Sequence, residues 1–519
     1  MKKKMLLSMV GLLLGLTAPA GPVDVAHARK VAETAFKMYL LEMETPIKHV
    51  DTAMGWNVAE VAIAGIDNLY LFNVYGQSSE QVKELGFVVV SGDDIAAPVL
   101  AFSTESALSS SSLKVDNPAV YSHLQRYGRQ IADARQKGLA ATPAIQQMWA
   151  DLTTGEALAK VNAMMDTKGD YLDDNIPQLL GMMKWGQGTP YNDRCPGGSV
   201  TGCVATAFGM IMNYWDYPEH GFGMHAYNCA DNPAAYPNWR YGEQYADFEH
   251  TYYDWEHMPD HAYINSPQEQ KEAVSTLLYH IGVSLEMRYT PDASGCWSLP
   301  EYAMFDTSLH LYQRAYTIGA DYRIPRHFGY KYSYAGMRDS IGNDSLWLTM
   351  LYNSLAERKP IYYAGWARED NEAGHSGTSG HGYIIDGYFS DAIDTNFFHI
   401  NWGWNGTADG YFKLDAMTPS GSDFTQWHGA IIGVEPDTSY HGYDYTGIRP
   451  IAIDDVLVFG RQGHISVHNA LGRPIAVYDV TGRRLLTATP STTQWNIAMR
   501  PGFYLVKVGT AQPKKIIVY

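Results

Sequence analysis

Apolar residues return at helical spacing from Val23 to about Met43, through Ala28, Val31, Ala35 and Met38, and after Pro46 the pattern changes. Val58–Ile63, Tyr70–Tyr75 and Phe87–Ser91 then read as short strands, punctuated by Gly65, Asp67 and Gly76. Helical spacing resumes over Ala119–Lys137, with Tyr121, Leu124 and Ile131 on one face, and over Ala144–Asn162. These segments predict a compact helix-and-sheet unit with no chemical constellation of its own. The polar run Asp166–Asn175 that follows predicts an exposed linker, open to proteolysis.

Beyond the linker, Ser199–Trp215 places a small, flexible lead-in ahead of an amphipathic helix in which Ala207, Met210, Ile211 and Tyr214 share a stripe. Thr201 and Gly202 suit the cap, which leaves Cys203 in the first turn. Strand-like runs come later, at Pro360–Ala364, Gly382–Tyr388, Phe397–Asn401 and Gly410–Leu414. Helices gathered ahead of strands predict an α+β domain with a cleft between two lobes. After Asp437 the chain shifts to short runs with turn signals between them, Ile465–Val467, Ile475–Val480, Arg484–Thr487, Gln494–Ile497, Tyr504–Val508 and Lys515–Tyr519, which predict a small β-sandwich. The expected boundaries are therefore 21–175, 176–437 and 438–519.

Composition adds a compartment and removes some partners. Lys2–Lys4, the apolar run Met5–Leu16 and Ala18-Pro19-Ala20 have the layout of a secretory signal peptide, residues 1–20, cut after Ala20. The run is shorter than the roughly 20 residues a bilayer span needs, and no other segment is long enough. An exported chain without a membrane span is expected. Hydrophobic content of 46% and aromatic content of 13% make it globular, and a formal charge of −17 argues against nucleic acid and against anionic membrane surfaces. Only Cys195, Cys203, Cys229 and Cys296 occur, so disulfides do not organise the fold, although Cys195 with Cys229 is a candidate bridge.

A cysteine at a helix mouth meets unpaired backbone N–H groups and the positive end of the helix dipole, both of which favour thiolate over thiol. Most free cysteines are inert core fillers, so Cys203 needs partners elsewhere to count as a nucleophile. His381 is the best base, flanked by Gly380 and Gly382 at the head of a buried strand. Asp386 sits five residues further on and faces the opposite side of that strand, so Asn401, beside Trp402 and Trp404, is the better group to orient the imidazole. Gln187 is the natural side-chain donor to an oxyanion, with the backbone N–H of Cys203 as the second. A zinc site at Cys195, Cys203 and Cys229 lacks CxxC spacing, and neither metal nor cofactor is expected.

Together, Gln187-Gly188-Thr189-Pro190-Tyr191-Asn192, Thr201-Gly202-Cys203-Val204-Ala205-Thr206-Ala207, Gly380-His381, and Asn401-Trp402-Gly403-Trp404 with Asp409-Gly410-Tyr411-Phe412 resemble the streptopain family of papain-like cysteine peptidases. Gly86–Asp93 is similar to that family's inhibitory pro-domain, so the likeness covers roughly residues 25–436. It implies a papain-like two-lobed catalytic domain behind an α+β pro-domain. It also implies Cys203 as nucleophile, His381 as base, Gln187 in the oxyanion hole and Trp402 beside the histidine. Ser294 and Gly380 match the substrate-binding loops, although Pro291–Ser298 departs from the usual glycine- and serine-rich run and contains Cys296. The tail, through Val477–Arg483, Pro501–Val508 and Lys514–Tyr519, resembles the C-terminal sorting domain of type IX secretion cargo. That implies contact with outer-membrane secretion machinery and a destination outside the cell or on its surface. The expected function is a secreted cysteine endopeptidase zymogen acting on proteins and held by its own pro-domain. The alternative is a catalytically silent adhesin or ligand-binding protein on the same scaffold.

Overall fold

The computed structural model describes residues 21–43, 55–77, 82–109, 113–167, 175–229, 241–299, 319–369, 377–393, 396–416, 428–440 and, with short gaps, 457–518. The expected signal peptide and most of the expected linker lie outside these residues.

The described chain begins with α1 (Val25–Glu42), whose first turn is closed by Asp24 accepting from the His27 N–H. Strands β1 (Gly55–Glu60), β2 (Leu69–Gln77), β3 (Val82–Ser91) and β4 (Val99–Ser103) follow, then helices α2 (Leu113–Asp116), α3 (Pro118–Gln136), α4 (Pro143–Thr154) and α5 (Glu156–Thr167). Asn117 and Thr142 cap α3 and α4, each ahead of a proline in the first turn, where its missing N–H costs nothing. Further on come α6 (Cys203–Trp215), the paired β5 (Met224–Asn228) and β6 (Glu243–Asp247), α7 (Gln268–Ser284) and α8 (Ala320–Phe328). After these lie β7 (Tyr330–Lys331), β8 (Tyr334–Met337), α9 (Asp344–Ala356), β9 (Ile361–Glu369), β10 (Gly377–Ser390), β11 (Asn396–Asn401), β12 (Gly410–Phe412), β13 (His428–Ile432) and β14 (Glu435–Pro436). Among the described residues there follow β15 (Leu457–Arg461), β16 (His464–His468), β17 (Ile475–Asp479), β18 (Arg484–Ala488), β19 (Gln494–Ala498), β20 (Gly502–Val508) and β21 (Lys514–Val518). The result is mixed helix and sheet, as the sequence pattern predicts.

The chain divides into two compact units. The first holds residues up to Pro177 together with Tyr388–Trp402 and Gly406–Phe424, so β11 and β12 fold with the N-terminal segment. Its strand order is β1-β2-β3-β4-β12-β11, and Tyr411 and Phe412 of β12 sit opposite Phe102 and Ala101 of β4. The core is aromatic: Tyr39 stacks on Phe102 at 3.9 Å between ring centroids, and Phe102 stacks on Tyr411 at 5.2 Å. Phe389 and Phe397 meet Phe102 edge-on. Helix α3 grips the segment after β12, where Gln130 both accepts from the Ala416 N–H and donates to Asp415, and Arg126 faces Asp415 at 3.6 Å.

The second unit spans Gln178–Gly387, Gly403–Asn405 and the chain from Thr425. Its principal strands run β10-β9-β13-β8, with His381 and Gly382 opposite Gly365 and Ala364. Helix α6 is buried from Val204 to Met212 and packs on α7, where the missing side chain of Gly209 leaves room for Leu278. At the far end, β15-β16-β19 and β18-β17-β20-β21 form two antiparallel sheets sharing a cluster of Ile465, Val467, Ile475, Val477, Val506 and Val518.

Candidate active site

Helix α6 begins at Cys203 with Gly202 as its cap, and no side chain closes the first turn. Its N–H groups are therefore not claimed by a capping oxygen. Glycine is required at the cap. Gly202 has φ +86°, and an added Cβ would lie 2.8 Å from the Met287 side chain and 3.0 Å from the Ser294 carbonyl. The approach is held from behind by Thr201, whose hydroxyl meets that of Thr206 at 2.8 Å and whose N–H donates to the Gln187 carbonyl at 3.0 Å. The Asn192 amide donates to the carbonyls of Gly198 and Ser199, tying down the loop that feeds the helix.

Strand β10 supplies the other half. The N–H of Gly382 points at Cys203 Sγ, 3.3 Å away, and the His381 side chain hydrogen-bonds the same sulfur. Burial alone would push this thiol up. The charge of His381, its hydrogen bond, and the N–H groups of Gly382 and Val204 outweigh burial and hold Cys203 below the usual cysteine range. Gly382 has no room for a side chain, because a Cβ there would lie 2.5 Å from the Tyr362 hydroxyl. The glycine after the histidine thus serves the packing of β9 as well as the sulfur.

On its other side His381 meets Trp404, whose indole N–H donates to Nε2 at 3.2 Å. The loop is fixed by Asn405, whose N–H donates to the Trp185 carbonyl and whose amide occupies the space a side chain at Gly186 would need.

The structure thus brings Cys203 and His381 together and ties the Gln187 backbone to the same helix mouth, with the Gln187 side chain nearly buried. Gly380 is exposed. Ser294 is buried, its hydroxyl accepts from the Thr290 N–H at 3.0 Å, and its carbonyl lies beside Gly202. Asn401 and Trp402 belong to the first unit, where both are buried, and the Trp402 N–H donates to Asp409 at 2.9 Å. Asp386 accepts from the Leu180 N–H at 3.0 Å and is buried on the opposite side of β10 from His381.

The candidate bridge is corrected: Cys195 and Cys229 are not joined in a disulfide. Cys229 lies against the Met287 carbonyl at 3.6 Å, and burial pushes Cys195 up to about 12. Among the described residues no group of three or more His, Cys, Asp or Glu could hold a metal ion. Trp404 is the contact that sequence reasoning did not assign. Its only signal was its place in the Asn401–Trp404 motif, where two tryptophans compete for the role.

The Peptidase C10 family matches residues 185–412, a span that runs from Trp185 through both Cys203 and His381. Residues 185–412 belong to that family. Ahead of this peptidase region, residues 20–131 match the Spi protease inhibitor family. Streptopain of Streptococcus pyogenes is 26% identical over 386 residues, covering 71% of this chain and 81% of the relative. Thiol protease/hemagglutinin PrtT of Porphyromonas gingivalis is 25% identical over 474 residues, 88% of this chain and 46% of the relative. The solved fragment of prointerpain A from Prevotella intermedia overlays with a TM-score of 0.48 at 25% identity, covering 72% of this chain and 98% of that one. The chain is a cysteine peptidase preceded by an inhibitor-type segment, the layout of a zymogen. No described helix is long and apolar enough to cross a membrane.

Proposed function

We propose that this chain is the precursor of a secreted cysteine endopeptidase, with Cys203 as nucleophile and His381 as general base and acid. The observation that carries the reading is the depressed Cys203 thiol under His381 and the Gly382 N–H. The thiolate adds to a peptide carbonyl carbon, and the carbonyl electron pair moves to oxygen. The Gln187 side chain and the Cys203 N–H stabilise that oxyanion. His381 then gives its proton to the leaving amine as the C–N bond breaks. Water, deprotonated by the same imidazole, cleaves the thioester and returns the thiolate. Asn401 orients the imidazole, Trp402 shields that bond, and Ser294 and Gly380 lie at the rim where substrate enters. The scheme calls on no cofactor.

Residues 21–175 act as the inhibitor of the cleft. An attached segment works at high effective concentration and loses that advantage once the linker is cut. Residues 438–519 direct passage across the outer membrane through its secretion machinery, and the substrates are extracellular proteins.

The test is to incubate the purified chain with casein under reducing conditions and follow both its own size and the rate at which a thiol-directed epoxide labels Cys203. Self-shortening with casein hydrolysis, and slower labelling of the uncut chain than of the cut one, are expected. A chain that neither hydrolyses casein nor labels at Cys203 would instead be a binding protein on a peptidase scaffold.

A further inference from the structure

Helix α1 ends in a glutamate placed where a charge has no compensation. Glu42 is buried. Its Oε1 accepts from the Ala392 N–H at 2.8 Å, and its Oε2, also buried, has no hydrogen-bond partner among the described residues. The neighbour across the contact is a second acid, Asp391, only 1% exposed, which accepts from the Ile393 N–H at 3.1 Å and receives the Tyr39 hydroxyl at 3.4 Å. Glu42 and Tyr39 come from the inhibitor-type segment, whereas Asp391 and Ala392 come from the peptidase region.

The other charged groups near this contact do not neutralise Glu42. Lys413, half-buried, is placed to feel Asp391 and Asp415, and Asp415 is engaged by Arg126 and Gln130. Glu42 is left against Asp391, a backbone N–H and the phenol of Tyr39. Two carboxylates sharing a dry contact cannot both ionise cheaply, so one proton is retained. Around them, the Tyr39, Phe102, Phe389, Phe397 and Tyr411 rings supply apolar contact that does not vary with pH.

We propose that once the chain is cut between the two regions, the N-terminal segment stays bound to residues 388–416 under acidic conditions and is shed as pH rises, with Glu42 as the group that releases it. Burial first, and the Asp391 charge second, raise the Glu42 carboxyl from 4.5 to about 8 despite the Ala392 N–H. The sign follows from linkage. A carboxyl raised in the docked state takes up a proton on docking, so its contribution is fully present below about 4.5 and is lost as pH climbs towards 8. Within that window the dissociation constant rises by up to about tenfold per pH unit, with one proton leaving as the segment leaves.

The experiment needs no turnover, so its failure is separate from failure of the proposed function. The full chain with Cys203→Ala, carrying a recognition site for an added sequence-specific protease at positions 168–174, is cut and passed over a size-exclusion column from about pH 5 to about pH 9. The two pieces are expected to co-elute at the acid end and to separate at the alkaline end. Glu42→Gln, which keeps an acceptor for Ala392 and cannot ionise, is expected to hold the pieces together throughout. Asp391→Asn is expected to weaken the pH dependence and hold the pieces together to higher pH than in the parent, because it removes the charge that raises Glu42. Thermal unfolding of the uncut chain gives a second reading: Glu42→Gln should raise the melting temperature relative to parent at the alkaline end and leave it little changed at the acid end. Retention that does not vary with pH in the parent, or an unchanged pH dependence in Glu42→Gln, overturns the proposal.

Discussion

Cys203 and Cys195 lie eight positions apart in the same unit, and their surroundings send them in opposite directions. Cys195 sits in a loop where burial dominates and pushes the thiol up to about 12, while Cys203, at a helix start beneath His381 and the Gly382 N–H, is held below the ordinary range. Cys296, whose charge would add to that of Cys203, is also pushed up, chiefly by burial. Burial penalises the thiolate at all three of these cysteines, and at Cys203 the His381 charge and the aimed N–H donors overcome it.

The largest effect is expected from Cys203→Ala, which should abolish casein hydrolysis, leave the precursor at full length on a gel and remove thiol labelling at neutral pH. Since Cys195 stays protonated there, labelling that persisted unchanged in this variant would erase the contrast between the two thiols. His381→Ala should come next. Without the imidazole, burial is opposed only by the two N–H groups, so the midpoint of iodoacetamide labelling against pH should move up, and hydrolysis should fall nearly as far as in Cys203→Ala. An unmoved midpoint would show that the helix mouth alone activates the thiol. Gln187→Ala sharpens the comparison from the other side. It should cost on the order of 10²-fold in kcat with labelling of Cys203 preserved, because it removes an oxyanion donor and leaves the thiolate in place. A parallel loss of labelling would make Gln187 a support for the Thr201 turn instead. The smallest effect belongs to Gly202→Ala. A side chain at φ +86° strains the backbone and crowds Met287, so stability should fall by about 1–3 kcal/mol in denaturant unfolding, with slower labelling as the helix start shifts.

Much of this was legible without coordinates. Helices α1, α3 and α6 and strands β2, β9, β10 and β11 fall where apolar spacing and turn residues put them, because those patterns reflect one face buried along a short stretch of chain, whereas the single helix expected over Ala144–Asn162 is broken at Gly155, φ +87°, into α4 and α5. Strand β13, His428–Ile432, escaped notice, although it lies between β9 and β8. A short fully buried run carries no alternation to distinguish it from core helix. Gly382 was legible only as a neighbour of His381, since the Tyr362 hydroxyl that excludes a side chain there comes from a neighbouring strand. Ser294 was named for its place in a stretch matching the family's substrate-binding loops, and which bonds its hydroxyl makes within that loop was not legible from the sequence.

By itself, the sequence determined that a cysteine would open a buried helix behind a glycine cap, since both the cap and the apolar stripe are local features spanning a few turns. Tertiary structure alone decided what that cysteine meets. The N–H that reaches its sulfur is 179 positions away, and the acid facing Glu42 lies at position 391, on a segment of the peptidase region that folds with the N-terminal unit. Charge and desolvation depend on distances through space, and no periodicity along the chain records which distant residues will close them.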